Sequence, residues 1–110
     1  DFTTHPLMAC GGVGTISVTA NLVPRLVKDQ VARALAGDWE GSRRIHESLL
    51  DLGAACFLET NPIPIKAGVE ILGRCGPEIR LPLLAAQEKT REVLREALRA
   101  LGALSAAVVR

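Results

Sequence analysis

A chain of 110 residues with 48% hydrophobic side chains and a mean hydropathy of +0.24 holds the material for one domain with an apolar core. Three aromatic residues and no tyrosine leave that core to Leu, Val, Ile and Ala, a composition suited to helices packed on a parallel sheet. With 13 basic and 12 acidic residues the net charge is +1, which removes the electrostatic grounds for expecting nucleic acid or a membrane surface as partner.

Residues 2–10 read as a short helix, with Asp1 as N-cap, Leu7 and Met8 for apolar contact, and Gly11-Gly12 as the stop. Thr15 to Thr19 then alternates β-branched polar and β-branched apolar residues, and Asn21 with Pro24 closes it as the one strand candidate. Thr15, Ser17 and Thr19 would share one face, and Ile16, Val18 and Ala20 the other. A lone strand leaves its backbone groups unpaired, at about 1–3 kcal/mol for each buried one. No second strand is legible, so the expected partner is another polypeptide or strands that lie upstream.

Helical spacing resumes at Leu22, Leu26, Gln30 and Val31, and Gly37 ends that helix. Asp38 caps a third, in which Ile45, Leu49, Leu52 and Cys56 form an i, i+4, i+7, i+11 stripe; the short connection implies an antiparallel pair. Asn61-Pro62-Ile63-Pro64 is expected to be extended and to feed a helix from Ile65 to Gly73. Arg80-Leu81-Pro82-Leu83 reads as a second extended segment before a last helix that runs from about Gln87 to beyond Leu101. On that helix Glu88, Glu92 and Glu96 alternate with Arg91, Arg95 and Arg99 in the manner of a solvated face. The tail from Ala100 to Val109 is small and apolar and carries no directive signal.

Residues 6–24 are uncharged, but their glycines, prolines and Asn21 argue against a membrane span. A chain that starts on Asp1 and has no basic stretch ahead of an apolar one is expected to be a cytoplasmic protein whose beginning lies upstream. Cys10, Cys56 and Cys75, odd in number and far apart, are expected to be reduced and mostly buried thiols.

At three places the residues resemble a known family. Gly11-Gly-Val-Gly-Thr-Ile-Ser-Val-Thr-Ala-Asn21 is similar to the last barrel strand of the dihydrodipicolinate synthase family, Glu59-Thr-Asn-Pro-Ile-Pro-Ile-Lys66 to its NPxPxK turn, and Arg80-Leu-Pro-Leu83 to the RLP segment before its final helix. The matches follow the family's order and spacing along nearly the whole chain. The resemblance implies an α/β fold: the C-terminal fragment of a (β/α)8 TIM barrel followed by an α-helical domain, mostly helical as it stands. Residues 1–37 would supply the last helix–strand–helix unit and residues 38–110 the helical extension. The absent first and seventh strands would then explain the unpaired one. The run Ser17-Val-Thr-Ala-Asn21 favours this branch over the N-acetylneuraminate lyase branch, whose segment is richer in Gly, Ser and Tyr; related keto-acid aldolases share the framework.

The implied reaction is a lyase chemistry of lysine biosynthesis, in which pyruvate forms a Schiff base with a barrel lysine and condenses with aspartate semialdehyde while a tyrosine relays protons. A Schiff-base lysine needs an apolar or cation-flanked site to lower its pKa. Lys28 and Lys89 lie on polar helix faces, and Lys66, the least polar in setting, belongs by resemblance to a turn outside the barrel. Tyrosine is absent. The expectation is a chain with no catalytic residue, no cofactor and no metal, inactive alone. By resemblance Ile16 matches the last-strand residue that contacts pyruvate, while Asp1 is either the acidic residue after the seventh strand or a helix cap. His5, His46 and the cysteines lack the close pairs of a zinc site. Gly11 to Gly14 precedes a strand instead of opening a helix, unlike a phosphate loop, and Ser17 has no nucleophile-elbow glycines. Expected partners are pyruvate in the complete barrel and either further copies or an upstream barrel segment. The alternative from another class is a non-catalytic helical interaction module derived from the same fold.

Overall fold

The computed structural model describes residues 1–104, and contacts divide the chain into two compact units, Asp1–Gly53 and Ala54–Arg110. In the first unit α1 (Thr4–Ala9) is followed by an open stretch, a 3-10 turn (Thr19–Asn21), α2 (Pro24–Leu35) and the greater part of α3 (Trp39–Ala55). Helix α2 starts where proline is best tolerated: Pro24 has no N–H to leave unbonded and its φ is already helical. Val27, Gln30 and Ala34 form its buried side. Asp38 caps α3 as expected, its carboxylate accepting the Gly41 N–H at 2.9 Å. That bond, with a second from Arg33, holds the Asp38 carboxyl below the usual carboxylate range. Leu49, Leu52 and Cys56 on the predicted stripe are buried.

The expected strand is corrected. Among the described residues there is no β-ladder; residues 12–17 belong to neither helix nor strand. Val18 then turns to φ −71°, ψ −46°, directly into the 3-10 turn. A strand exists only where a neighbour supplies a ladder, and Val13, Gly14 and Ile16 exchange no backbone hydrogen bond with any described residue. The alternating faces are lost as well: Ile16 is fully exposed, whereas Thr19, expected on the opposite face, is buried. The chain is mostly helical, and the β component of the expected α/β class is not formed among the described residues.

Four helices stop in the same way. At the ends of α1, α2, α4 (Ile63–Ile71) and α5 (Glu88–Ala100), the glycine after the cap residue donates to the carbonyl three residues back, and the next residue donates five back. At α2 these bonds are Gly37 N–H to Ala34 at 3.1 Å and Asp38 N–H to Arg33 at 2.9 Å. Gly37 takes φ +83°, where a Cβ would be strained. Gly12 is required for another reason, since a Cβ there would stand 2.9 Å from the Leu7 carbonyl oxygen.

In the second unit α4 packs against α5. Pro64, Ile65 and Ala67 of α4 are buried, as are Leu94, Ala97, Leu98 and, beyond the helix, Leu104. Two expected extended segments are in fact turns. Pro62 is the residue before α4, so Pro64 falls in the first helical turn, where its missing N–H costs nothing. Leu83 N–H closes back on the Arg80 carbonyl at 3.1 Å. Helix α5 ends at Ala100, with Leu101 as cap residue and Gly102 at φ +65°, and so does not make the expected run past Leu101. Residues 105–109 of the apolar tail lie outside the described residues.

Candidate functional site

The Asp1 side chain organises the first unit's open stretch. It does not cap α1: Thr3 occupies the N-cap position, and no side chain bonds there. Its carboxylate instead reaches across to the far end of the stretch. Oδ1 accepts the Ser17 hydroxyl and, at 2.7 Å, the Thr19 hydroxyl; Oδ2 accepts the backbone N–H of Val18 at 3.0 Å and of Thr19 at 3.3 Å. Ser17 Oγ in turn accepts the Ala20 N–H at 2.9 Å. Nearer the start, the Thr4 hydroxyl of α1 donates to Thr15 Oγ1 at 3.2 Å. Ile16 stands between these two anchored points, exposed. The signal for this network lay in the hydroxyl face Thr15, Ser17, Thr19, which reads as a strand face; Ser17 and Thr19 donate to one carboxylate, and Thr15 accepts from Thr4.

The remaining polar centre of the unit is structural. His5 on α1 lies 3.0 Å from the buried Ser42 hydroxyl on α3, and Gln30 on α2 lies 3.2 Å from His46 Nδ1. The two imidazole centroids are 5.8 Å apart, with Trp39 edge-on to His5 at 6.0 Å. Burial, then the neighbouring His5, pushes the His46 pKa down. Among the described residues no group of three His, Cys, Asp or Glu side chains is placed to hold a metal. The expected pattern for the thiols needs correction: Cys56 is buried, with its pKa pushed up to about 11, but Cys10 and Cys75 are exposed.

Lys28 and Lys89 are exposed. Lys66 is half-buried in a shallow hollow of the second unit beside Glu70, Ile79 and Arg91. There Arg91 makes a two-pronged pair with Glu70, Nη1 to Oε2 at 2.7 Å and Nη2 to Oε1 at 3.1 Å. The bond from Arg91 lowers the Glu70 pKa. Arg91 therefore reaches beyond the expected solvated ladder to hold α4 on α5 while keeping Glu88 at 3.8 Å, and Arg95 takes Glu88 at 2.7 Å. The NPxPxK turn is tied to the same helix, since Glu59 Oε1 accepts the N–H of Gln87 at 3.0 Å. No described helix is long and apolar enough to cross a membrane.

The model of the dihydrodipicolinate synthetase family matches residues 1–101. The chain belongs to that family. The 4-hydroxy-tetrahydrodipicolinate synthase of Methanopyrus kandleri is 48% identical over 104 residues, which cover 94% of this chain and 35% of the relative. Among solved structures, the dihydrodipicolinate synthase of Thermotoga maritima superposes with a TM-score of 0.91 at 43% identity, over 94% of this chain and 35% of its own. The chloride-inhibited synthase of Acinetobacter baumannii, solved with pyruvate, gives 0.88 at 37% identity with the same coverage. This family member thus spans about a third of the length of the synthases it matches.

Proposed function

We propose that the chain is the C-terminal part of a dihydrodipicolinate synthase-like lyase, which condenses pyruvate with aspartate semialdehyde through a Schiff base. The observation that carries this reading is the family match over residues 1–101 together with a span of 35% of the relatives' length. Residues 1–37 serve as the closing unit of the barrel and residues 38–110 as its helical extension. The open backbone of residues 12–17, flanked by two formed helices, is then the last barrel strand before its neighbours arrive.

In this reading the Schiff-base lysine and the proton-relaying tyrosine belong to the upstream two thirds, a division that the absence of tyrosine supports. Active sites of such barrels lie at the C-terminal ends of the strands, where Ile16 forms part of the wall against pyruvate. A structure of one family member with pyruvate bound makes that ligand the natural one to test. The chain alone performs no turnover; its partners are the upstream barrel segment and further copies of the assembled enzyme, in the cytoplasm.

The test compares the chain alone with a fusion carrying the upstream two thirds of the Methanopyrus kandleri synthase. Each is incubated with pyruvate and borohydride, and the intact mass is read. A trapped adduct in the fusion and none in the chain is expected. A stoichiometric adduct on the chain alone makes Lys28, Lys66 or Lys89 the imine former and overturns the division of roles. No adduct in a folded fusion favours the non-catalytic module.

A further inference from the structure

We infer that Asp1 is a positioning residue of this site: its carboxylate fixes the Ser17–Thr19 turn and thereby holds Ile16 at the pyruvate end of the strand. The inference rests on the reading above and assigns a role that neither the strand pattern nor the helix cap suggested. Three observations carry it. The carboxylate accepts four donors, two hydroxyls and two backbone amides, all from the three residues that follow Ile16. A carboxylate offers about four lone-pair sites, so this one has none left with which to take a proton from a substrate. It acts through its neighbours and not on the reacting atoms.

Ile16 itself has no anchor among the described residues. It is held from both sides, by Thr15 bonded to Thr4 of α1 and by Ser17 bonded to Asp1. The Asp1 side is the stronger, because charge-assisted bonds are roughly twice as strong as neutral ones. The turn also sets where the chain leaves the barrel, since Val18 adopts helical angles directly after the open stretch. A displacement of about 1 Å in a group that lines a reacting centre is enough to cost binding or rate.

Asp1→Asn is the informative substitution. One amide oxygen can still accept the hydroxyls, but the amide NH2 would face the Val18 and Thr19 N–H groups, donor against donor. In the fusion described above, Asp1→Asn is expected to raise KM for pyruvate about tenfold with kcat changed less than about threefold. Asp1→Glu, which keeps the charge and both acceptors, should recover part of the loss. Asp29→Asn, which removes the same charge from an exposed pair with Arg33, should leave both constants alone.

A second readout needs no activity. In the 110-residue chain, the Val18 and Thr19 amides should exchange with solvent more slowly than those of Val13 and Gly14, and Asp1→Asn should abolish the difference. A fall in kcat at constant KM would place Asp1 in the chemistry and overturn the inference. So would an unchanged KM together with unchanged amide exchange. If the unsubstituted fusion traps no pyruvate, the functional reading fails instead, and the exchange measurement alone decides whether Asp1 holds the turn.

Discussion

At the scale of single residues, charge and burial decide which side chains respond to solution conditions. Among the described residues Arg91 and Glu70 are the most sheltered ion pair, with side chains 20% and 25% exposed. Because Arg91 lowers the Glu70 pKa, the pair's contribution is complete above the ordinary carboxylate range, near 4.3, and disappears as pH falls through the lowered folded value. Glu70→Gln is expected to cost about 1–2 kcal/mol at neutral pH. Urea titrations of both proteins should converge as pH drops below 4.3; a gap of constant size would mean that packing, not charge, holds α4 on α5. The exposed pairs of Glu40 with Arg43 and Arg44 are a contrast, since they hold the Glu40 pKa down to about 2 without shelter from water. Thiols divide in the same way. Brief alkylation at mildly alkaline pH should modify Cys10 and Cys75 and spare Cys56, whose thiolate is disfavoured by burial. Peptide mass mapping reads the outcome, and labelling of Cys56 at the rate of the other two would contradict its burial.

At the scale of elements, the four glycine-ended helices are the common device. Gly37→Ala should lower stability by about 1 kcal/mol, because φ +83° is open to glycine and costly to alanine. Gly14→Ala, at ordinary φ and with free space around its Cα, should change the melting temperature little. The helices were legible in the sequence because their periodicity and stop signals are local: Gly37 and Gly73 end α2 and α4 as read, and Asp38 caps α3. What escaped was long-range. Asp1 reads as a cap until Ser17 and Thr19 are brought to it, 16 and 18 positions on. Arg91 reads as one rung of a solvated ladder until Glu70 arrives from another helix. Thr15 to Thr19 has the alternation of a strand, and alternation cannot say whether a partner is present. Pro62 and Pro82 suggested extension, because the rule for the residue before proline does not anticipate a turn closed on the other side.

At the scale of the whole molecule, the open stretch sets the behaviour of the chain. Val13 and Ile16 expose 82% and 104% of their surface next to unpaired backbone, a combination that recruits a partner. The chain alone should therefore sediment above its 11.7 kDa mass as concentration rises, and addition of an upstream barrel fragment should suppress this. A mass independent of concentration would mean that the edge is already satisfied. The kind of association is restricted by the same stretch. Segments that stack into dry cross-β zippers are six or seven residues of strong β-formers with few glycines. Residues 12–17 include Gly12 and Gly14, whose lack of side chains leaves nothing to interdigitate, and the carboxylate of Asp1 bends the backbone away immediately afterwards. The exposed edge is thus long enough to be completed by a neighbouring barrel strand and too sparsely furnished to template an indefinite fibril, so that a piece left waiting for its partner stays competent to join it.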